Sequence, residues 1–415
     1  MKKMILSAAA FAVVAVSAVA VAPTTSEAVP AFARQTGAAC LACHHLSFPA
    51  LNAYGRSFKQ GGFVDVGEQA LVEDDMLSIT SSVNFSVVLR PQFESQTVTM
   101  NAAAAAAVTG VAGSVTTKTV AIPADQVLLI AGRIGTNSGV FVEYDGTFAN
   151  YQQINSWDVG GMKAGVSIFN SGFGETAGME VGSTFGQHGG LLGGKSLSAS
   201  EQITKNTGGT GGVALFVANE MITASIAGVT ASGAIGGVGN GWKLAPSARA
   251  FATLEAGGFE VGFGGGITSG STGNAQTVAA LGLPIGTTLD MKKWMIDAQV
   301  QGEIGDMGFA AYADYASAAA STATATNLFN PAAAGTLKGY SFRAELKPLH
   351  TVVVGAGFGN LKDNVTKTTQ WQVGGEYELY QNFVIALIYN NKKVTGALGA
   401  TTTTKTTLLD IEALL

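Results

Sequence analysis

Residues 293–304 read Lys-Trp-Met-Ile-Asp-Ala-Gln-Val-Gln-Gly-Glu-Ile, and apolar and polar side chains alternate along most of this stretch. The apolar set is Trp294, Ile296, Ala298, Val300 and Ile304, and the polar set is Lys293, Asp297, Gln299, Gln301 and Glu303. Successive side chains of a strand point to opposite faces, whereas a helix would mix the two sets. The stretch therefore predicts a β-strand with one apolar and one polar face.

The same alternation recurs along the chain from Leu77 onward. It predicts sixteen strands, near 79–93, 126–134, 140–147, 157–169, 176–187, 213–219, 222–230, 243–254, 259–267, 293–304, 308–316, 338–347, 350–358, 369–379, 382–390 and 404–415. Tyrosines and tryptophans near the predicted strand ends are candidates for interfacial aromatic girdles. They are Tyr144, Trp157, Trp242, Trp294, Trp371, Tyr380 and Tyr389.

The connections between these strands differ in length. Short turns are predicted at 135–139, 256–258, 305–307 and 348–349, and long Ala/Thr/Gly-rich loops at 94–125, 188–212, 268–292, 317–337 and 391–403. Short turns on one rim and long loops on the other are typical of outer-membrane barrels. We therefore predict an all-β, antiparallel outer-membrane barrel of about sixteen strands, with a soluble sandwich or repeat protein as the alternative.

Composition agrees with a membrane protein built from strands. Only 12% of the residues are charged, 47% are hydrophobic, 55 are glycines and the formal net charge is −5. A mildly acidic chain argues against a nucleic-acid partner. Beyond the first residues no uninterrupted apolar run reaches the roughly 20 residues of a helical span, so outer-membrane lipid would be met by strands.

The first residues have the pattern of a secretory signal peptide. Lys2 and Lys3 precede an apolar run at 5–22, and the small-x-small sequence at 26–28 offers a cleavage site. We predict a signal peptide over 1–28, a haem module over 29–75 and a barrel over 76–415. Cleavage after Ala22 ranks second because it would put Pro23 first in the mature chain.

The chain has two cysteines, and they stand in the sequence Cys40-Leu-Ala-Cys43-His44. This spacing is the attachment pattern for c-type haem, in which two thiols bond to the porphyrin and the histidine is an axial iron ligand. A Cys40–Cys43 disulfide and half of a zinc site are the alternatives, although no second thiol pair exists to complete the latter. We predict one covalently bound haem c.

The residues around the motif form a small module that needs its cofactor to fold. Helical spacing predicts that Leu51, Tyr54 and Phe58 lay one apolar face on the porphyrin, with Pro49 in the first turn. Phe48 completes the predicted contact set, and Arg34 and Arg56 are candidate partners of the haem propionates, with solvated surface charges as the alternative. Because an even strand count puts both barrel ends on the periplasmic side, the module would start there. A barrel of this size leaves a lumen that the module can plug.

The sequence resembles the fused monohaem cytochrome–porins of the outer membrane of iron-oxidising bacteria. The resemblance covers about thirty residues, and over the rest of the chain only the layout of the barrel corresponds. The matching residues are Ala31-Phe32-Ala33-Arg34-Gln35-Thr36-Gly37, Cys40-x-x-Cys43-His44, Phe48-Pro49-x-Leu51-Asn52 and Gly55-Arg56-x-Phe58-Lys59. It implies oxidation of extracellular Fe(II), with electrons passed through the haem to a periplasmic carrier such as a soluble cytochrome c. It also implies attachment at Cys40 and Cys43 and proximal ligation by His44.

The sixth iron ligand is open. Met76 is the candidate we favour because a thioether ligand raises the potential of a haem. His45, His188 and His350 are alternatives, as is a five-coordinate iron. Iron as a substrate would meet carboxylates on the predicted lumen or loops, namely Glu143, Asp145, Asp158, Asp297, Glu303, Asp314, Glu345, Glu376 and Glu378, with no single one assigned.

Two other functions fit the same residues. A diffusion porin could carry the haem module as a structural or sensory plug. A conduit could also serve another extracellular donor or acceptor, since haem accepts and releases electrons alike.

Overall fold

The computed structural model describes residues 30–46, 49–64, 71–82, 84–107, 112–146, 148–170, 176–183, 197–207, 209–231, 243–273, 282, 284, 286–322, 324–332 and 334–415. The predicted signal peptide, Phe48, His188 and Trp242 lie outside these residues. No helix within the described ranges has the length and apolar character to cross a membrane.

Sixteen strands form one closed antiparallel barrel, as predicted. Two short strands, β1 (Leu71–Glu73) and β2 (Ser78–Thr80), precede it as a hairpin, and β12 (Ser271–Thr272) pairs with β13 (Leu289–Asp290) in a loop. The barrel strands are β3 (Phe85–Met100), β4 (Gly113–Gly135), β5 (Ser138–Tyr144), β6 (Phe148–Val159), β7 (Met162–Asn170), β8 (Thr210–Ala218), β9 (Ile222–Ala231), β10 (Ala245–Ala256), β11 (Phe259–Thr268), β14 (Lys293–Ile304), β15 (Met307–Ala318), β16 (Leu337–Leu349), β17 (Val352–Lys362), β18 (Lys367–Tyr380), β19 (Phe383–Thr395) and β20 (Thr401–Leu414). Pairing of β3 with β20 closes the cylinder.

The apolar faces of the strands point outward and the polar faces point into the lumen. On β14, Trp294 and Ile296 are 44% and 54% exposed, whereas Asp297 and Gln299 are 5% and 1% exposed. Such an inside-out arrangement would be unstable in water and is the arrangement of a barrel that lies in lipid. Tyr144, Trp157, Trp294, Trp371 and Tyr380 are exposed on this outer surface.

One rim carries only short connections. The seven turns there span 136–137, 160–161, 219–221, 257–258, 305–306, 350–351 and 381–382. In the Gly160-Gly161 and Gly257-Gly258 turns both glycines have positive φ, which suits the two-residue hairpin turns that match strand twist. We call this end the short-turn rim and the opposite end the long-loop rim. Both barrel termini meet at the short-turn rim, where the Val87 N–H donates to the Leu415 carbonyl at 3.0 Å.

The boundaries of several strands were predicted wrongly. The stretch 157–169 is a hairpin of β6 and β7 around Gly160-Gly161, because glycine pairs within a run can turn the chain. The predicted strand at 176–187 is not a barrel strand in its described part, residues 176–183. The predicted loops 94–125 and 391–403 are mostly strand in their described residues. Threonines recur on both faces of these segments, so apolar alternation marks them only weakly.

Three short helices lie in the lumen at the short-turn rim. They are α1 (Pro30–Thr36), α2 (Cys40–Cys43) and α3 (Ala53–Gln60), and we call residues 30–64 the module. The predicted plug is therefore present. The predicted boundary at 75/76 falls inside the β1–β2 hairpin, and the barrel itself begins at Phe85. A fourth helix, α4 (Ala102–Ala107), lies between β3 and β4 at the long-loop rim, and α5 (Ala199–Lys205) lies in the connection between β7 and β8.

Candidate functional site

The two cysteines and the histidine of the motif lie together on a single helical turn. α2 spans Cys40–Cys43, and the His44 N–H donates to the Cys40 carbonyl at 3.0 Å. Both sulfurs are thiols with no disulfide between them, and they are 5% and 8% exposed. Burial raises the pKa of Cys43 to about 11, so the thiol is protonated at neutral pH.

His44 is buried in the neutral form. Burial lowers its pKa to about 4, and backbone hydrogen bonds with Pro49 and Ala50 act in the opposite direction. A neutral imidazole is the form that ligates a metal, and a backbone partner on the ring fixes its orientation. The backbone next to His44 is held by an antiparallel bridge to Leu51.

Asn52 and Gly55 fix α2 against α3. The Asn52 amide donates to the carbonyls of Leu41 at 3.3 Å, Ala42 at 3.0 Å and His44 at 3.4 Å, and its Oδ1 accepts from the Gly55 N–H as the cap of α3. A Cβ on Gly55 would lie 2.2 Å from the Cys43 carbonyl oxygen. Only glycine allows the two helices to approach this closely.

Polar contacts join the module to strands around the whole circumference of the barrel. The Arg56 guanidinium forms an ion pair with Glu260 of β11. Gln60 donates to Thr223 of β9 at 2.8 Å, and Lys347 of β16 donates to the Leu46 carbonyl at 2.9 Å. Since all three strands contribute residues near their short-turn ends, the module lies across that end of the lumen.

The apolar side of the module packs against the barrel wall through phenylalanines. The Phe32 ring lies 5.1 Å from the Phe58 ring in an edge-to-face arrangement and 5.1 Å from the Phe63 ring in a stacked one. Phe141 of β5 stacks on Phe32 at 6.2 Å. Such pairs add to the burial energy of the rings and fix their orientation.

A second segment covers the module from the long-loop side. Residues 176–183 and 197–207, which we call the lumen loop, belong to the connection between β7 and β8. Lys59 of α3 forms an ion pair with Glu180 at 3.7 Å, and the Leu51 N–H donates to Ser183 Oγ at 2.9 Å. Burial lowers the pKa of Lys59 and raises the pKa of Glu180 to about 7.

The lumen loop is tied to the wall on the opposite side of the barrel. The Ser183 N–H donates to Gln299 Oε1 at 2.8 Å, and its carbonyl accepts from Arg343. Asp314 accepts from Ser198 Oγ at 3.0 Å and from the Ser200 N–H at 2.7 Å. The module and the lumen loop therefore occupy the lumen as two contacting layers.

The predicted haem contacts differ in their surroundings. Leu51 is half-buried beside His44, whereas Phe58 is buried in the phenylalanine cluster and Tyr54 is 44% exposed. Tyr54 and Phe58 are one turn apart on the same side of α3, and their contact with a porphyrin stays a prediction. Arg34 donates to the Phe85 carbonyl at 3.0 Å and Arg56 pairs with Glu260, so the barrel itself supplies partners for both guanidinium groups.

Three candidates for a sixth ligand, Met76, His45 and His350, lie within the described residues, and their surroundings differ. Met76 lies in the turn of the β1–β2 hairpin and is 96% exposed. The His45 ring contacts the Phe309 carbonyl at 2.9 Å, and His350 lies in the turn between β16 and β17. Within the described ranges, no group of three or more His, Cys, Asp or Glu side chains is arranged to hold a metal ion.

Sequence reasoning missed several residues that shape this site. Asn52 before a short helix is a recognisable cap, and it could have been found. Glu260 and the lumen-loop residues Glu180 and Ser183 carry no local signal, because their roles depend on strand register and on a loop that folds inward.

Comparisons with known proteins add a likeness of shape. No family model and no curated protein matches the chain. OmpT of Vibrio cholerae, an outer-membrane protein, is 11% identical with a TM-score of 0.43, and the match covers 80% of this chain and 99% of that one. OpdO of Pseudomonas aeruginosa is 11% identical with a TM-score of 0.41, and the match covers 80% and 98%.

Proposed function

We propose that the protein is an outer-membrane c-type cytochrome–porin that takes single electrons from extracellular Fe(II) and delivers them to a periplasmic carrier such as a soluble cytochrome c. Cys40 and Cys43 would attach one haem c, and His44 would be an axial ligand of its iron. The observation that carries the proposal is the position of this motif, which lies inside the lumen of a closed barrel.

The donor set fits covalent haem. Two thiols that are not joined in a disulfide stand on one helical turn, and a neutral buried imidazole follows them directly. When bound, the group supplies reversible one-electron chemistry at the iron. The Asn52 amide holds the carbonyls of α2, and Gly55 lets α3 pass against Cys43, so the attachment segment is held rigidly before any cofactor chemistry.

The surrounding residues would control what reaches the site. The module closes the short-turn rim, and the lumen loop covers the module from the long-loop side through Glu180 and Ser183. Both layers restrict the passage of water and solutes. A site enclosed in this way favours electron exchange across a short distance over diffusion of a solute through the barrel.

Fe(II) would arrive from the long-loop rim as a substrate. Of the predicted carboxylates, Asp297, Asp314, Glu345, Glu376 and Glu378 are buried on the inner face of the wall. Asp297 pairs with Arg249 at 2.7 Å, and Glu378 pairs with Lys347 at 2.7 Å. Within the described residues these carboxylates line the lumen without a group of three or more metal ligands, which suits an ion that comes and goes.

A diffusion porin is the second candidate. A sixteen-stranded barrel with a polar inner face is the architecture of a channel, and this coarser description holds whichever function is correct. Single-channel conductance in planar bilayers separates the two. The cytochrome–porin should conduct ions poorly through its occupied lumen, whereas a diffusion porin whose haem has only a structural or sensory role should conduct ions freely.

Spectroscopic titration tests the redox part of the proposal. Purified full-length protein from cells that install c-type haem should carry covalent haem, and Fe(II) should convert its absorbance bands to those of the reduced form. Cys40→Ser/Cys43→Ser should lose the covalent haem while the barrel still folds. Wild-type protein that folds in these cells without covalent haem, or wild-type haem that stays oxidised in excess Fe(II), overturns the proposal.

A further inference from the structure

A row of three lysines crosses three neighbouring strands at the long-loop rim. Lys338 of β16 stands directly opposite Lys362 of β17, and Lys362 stands directly opposite Lys367 of β18. Opposing residues on antiparallel strands have Cβ atoms about 4.5–5.5 Å apart, and like charges at this spacing destabilise a sheet. A lysine row therefore calls for an anionic partner.

The barrel itself provides few charges for these lysines. The row is flanked by hydroxyl residues, since Ser317 lies opposite Lys338 and Thr395 lies opposite Lys367. Asp363 follows Lys362, but its carboxylate accepts the N–H groups of Val365 and Thr366 in the turn, at 2.7 and 2.6 Å. None of the three lysines forms an ion pair with another residue of the described ranges.

The side chains of the row face outward. Lys338 lies on the same face of β16 as Tyr340 and Phe342, which are 50% and 52% exposed. Ser341, on the other face, is buried. Lys362 lies on the same face of β17 as Phe358, and Lys367 lies on the same face of β18 as Trp371, and both aromatic side chains are exposed. All three lysines are exposed.

An aromatic belt lies directly below the row, toward the middle of the barrel. The rings of Tyr340 and Phe358 are 6.1 Å apart across β16 and β17, and those of Trp371 and Tyr389 are 5.3 Å apart across β18 and β19. Aromatic girdles mark the boundary between hydrocarbon and headgroups. The lysines therefore lie at the headgroup level of the leaflet that surrounds the long-loop rim.

A cavity opens beside two of these lysines, Lys338 and Lys362. It has a volume of about 490 Å³ and is lined by Ala320, Gly335, Thr336, Lys338, Lys362, Asp363 and Asn364. Hydroxyl, amide and ammonium groups in one concavity suit a phosphate group, which accepts hydrogen bonds on several oxygens. The Asp363 carboxylate turns toward the backbone N–H groups of its own turn, which reduces its repulsion of such an anion.

We propose that Lys338, Lys362 and Lys367 bind the phosphate groups of a phosphorylated lipid in the outer leaflet, with its acyl chains lying on the aromatic belt. The belt favours a lipid over free phosphate, because a free ion would gain nothing from Tyr340, Phe342 or Trp371. This inference depends on the barrel and its orientation and is independent of the haem.

Native mass spectrometry of the detergent-solubilised full chain tests the proposal, with lipid A carrying two phosphates as the probe. The wild type should retain lipid A, and enzymatically dephosphorylated lipid A should bind at least tenfold more weakly. Lys338→Gln/Lys362→Gln/Lys367→Gln should also bind lipid A at least tenfold more weakly. Inorganic phosphate at the same concentration should not displace the lipid.

A matched control removes the same charge from exposed lysines that oppose uncharged residues. Lys118 lies opposite Ser95, Lys393 lies opposite Thr403, and Lys405 lies opposite Asn391. Lys118→Gln/Lys393→Gln/Lys405→Gln should stay within twofold of the wild type. Equal retention by the row variant and the wild type, equal binding of the dephosphorylated lipid, or displacement by inorganic phosphate would each overturn the proposal.

A charge reversal guards against a variant that simply fails to fold. Lys362→Glu converts the row to alternating charges, so in phosphate-free zwitterionic detergent its melting temperature should equal or exceed that of the wild type. Its lipid A binding should nevertheless fall at least tenfold. A folded Lys362→Glu protein that binds lipid A as the wild type does would contradict the assignment.

Discussion

Single residues in the module decide how the proposed haem-attachment motif is presented. Cys40, Cys43 and His44 can be recognised from spacing alone, and so can the Asn52 cap. The requirement for Gly55 cannot be recognised in this way, because it arises from the approach of α3 to the Cys43 carbonyl. The proposed haem motif can therefore be read from the sequence, whereas its packing required the structure.

Gly55→Ala should damage haem attachment without touching the motif. Its Cβ would meet the Cys43 carbonyl oxygen at 2.2 Å, so α2 and α3 must separate. Overpacking of this kind costs about 1–3 kcal/mol. Covalent haem per protein, measured by absorbance, should drop severalfold. Gly265→Ala is the control, because its Cβ would meet ordinary contacts from 3.6 Å outward; equal haem content in both variants would count against this role.

Glu180 should make the free energy of unfolding of the protein depend on pH. Burial raises its pKa to about 7 from the usual 4.5, so the folded state holds a proton that the unfolded state releases between these values. The corresponding stability is present below pH 4.5 and is lost as the pH rises through 7. Glu180→Gln removes this dependence.

Thermal unfolding at pH 4.5 and 7.5 checks this sign. Relative to Glu180→Gln, the wild type should gain on the order of 2 kcal/mol at the acidic pH. If the wild type instead loses stability relative to the variant on acidification, the pKa of the Glu180 carboxyl is lowered in the folded state and not raised.

At the scale of elements, the sequence predicts strands well and predicts inward-folding segments poorly. The alternation of apolar and polar residues predicted β14 with the same first and last residues as the structure, because one face meets lipid and the other meets the lumen. Residues 176–183 resemble a strand by pattern, yet they are buried by the barrel instead of belonging to its wall. A segment that is buried on all sides can carry a strand-like pattern without belonging to the wall, so periodicity alone does not place it there.

The Arg56–Glu260 ion pair should act as the main anchor between module and wall. Arg56→Met leaves Glu260 largely buried without its guanidinium, which costs about 3–5 kcal/mol. Limited proteolysis should then cut the module while the strands stay intact. Arg56→Met/Glu260→Met should recover most of the resistance, and a double variant as sensitive as the single one would refute the anchoring role.

Removal of the lumen loop should open the barrel partly. Replacing residues 176–205 with a short Gly/Ser linker deletes the layer above the module, so single-channel conductance should rise severalfold over the wild type. Deletion of α4 at the long-loop rim is the control, since this helix packs on β3 and β20 outside the two lumen layers. Unchanged conductance after loop removal would mean that the lumen loop does not restrict ion flow.

On the scale of the whole molecule, a polar-lined cylinder is closed by its own N-terminal module and by a loop from its wall. The closed barrel and the plug could be predicted from strand count, connection lengths and the size of the leading module. The second layer could not, because it depends on contacts such as Ser183 with Gln299 between residues far apart in sequence. The resulting architecture places the cysteine motif between two aqueous compartments, where electron exchange and solute diffusion make opposite demands on the lumen.

Electron transfer across a sealed membrane tests the central claim most directly. Vesicles should contain the haem-loaded full chain in the bilayer and oxidised soluble cytochrome c inside, with a membrane-impermeant Fe(II) chelate added outside. The account predicts reduction of the trapped cytochrome c, and no reduction when Cys40→Ser/Cys43→Ser replaces the wild type. Trapped cytochrome c that stays oxidised with the wild type, or that is reduced equally with the variant, would contradict it.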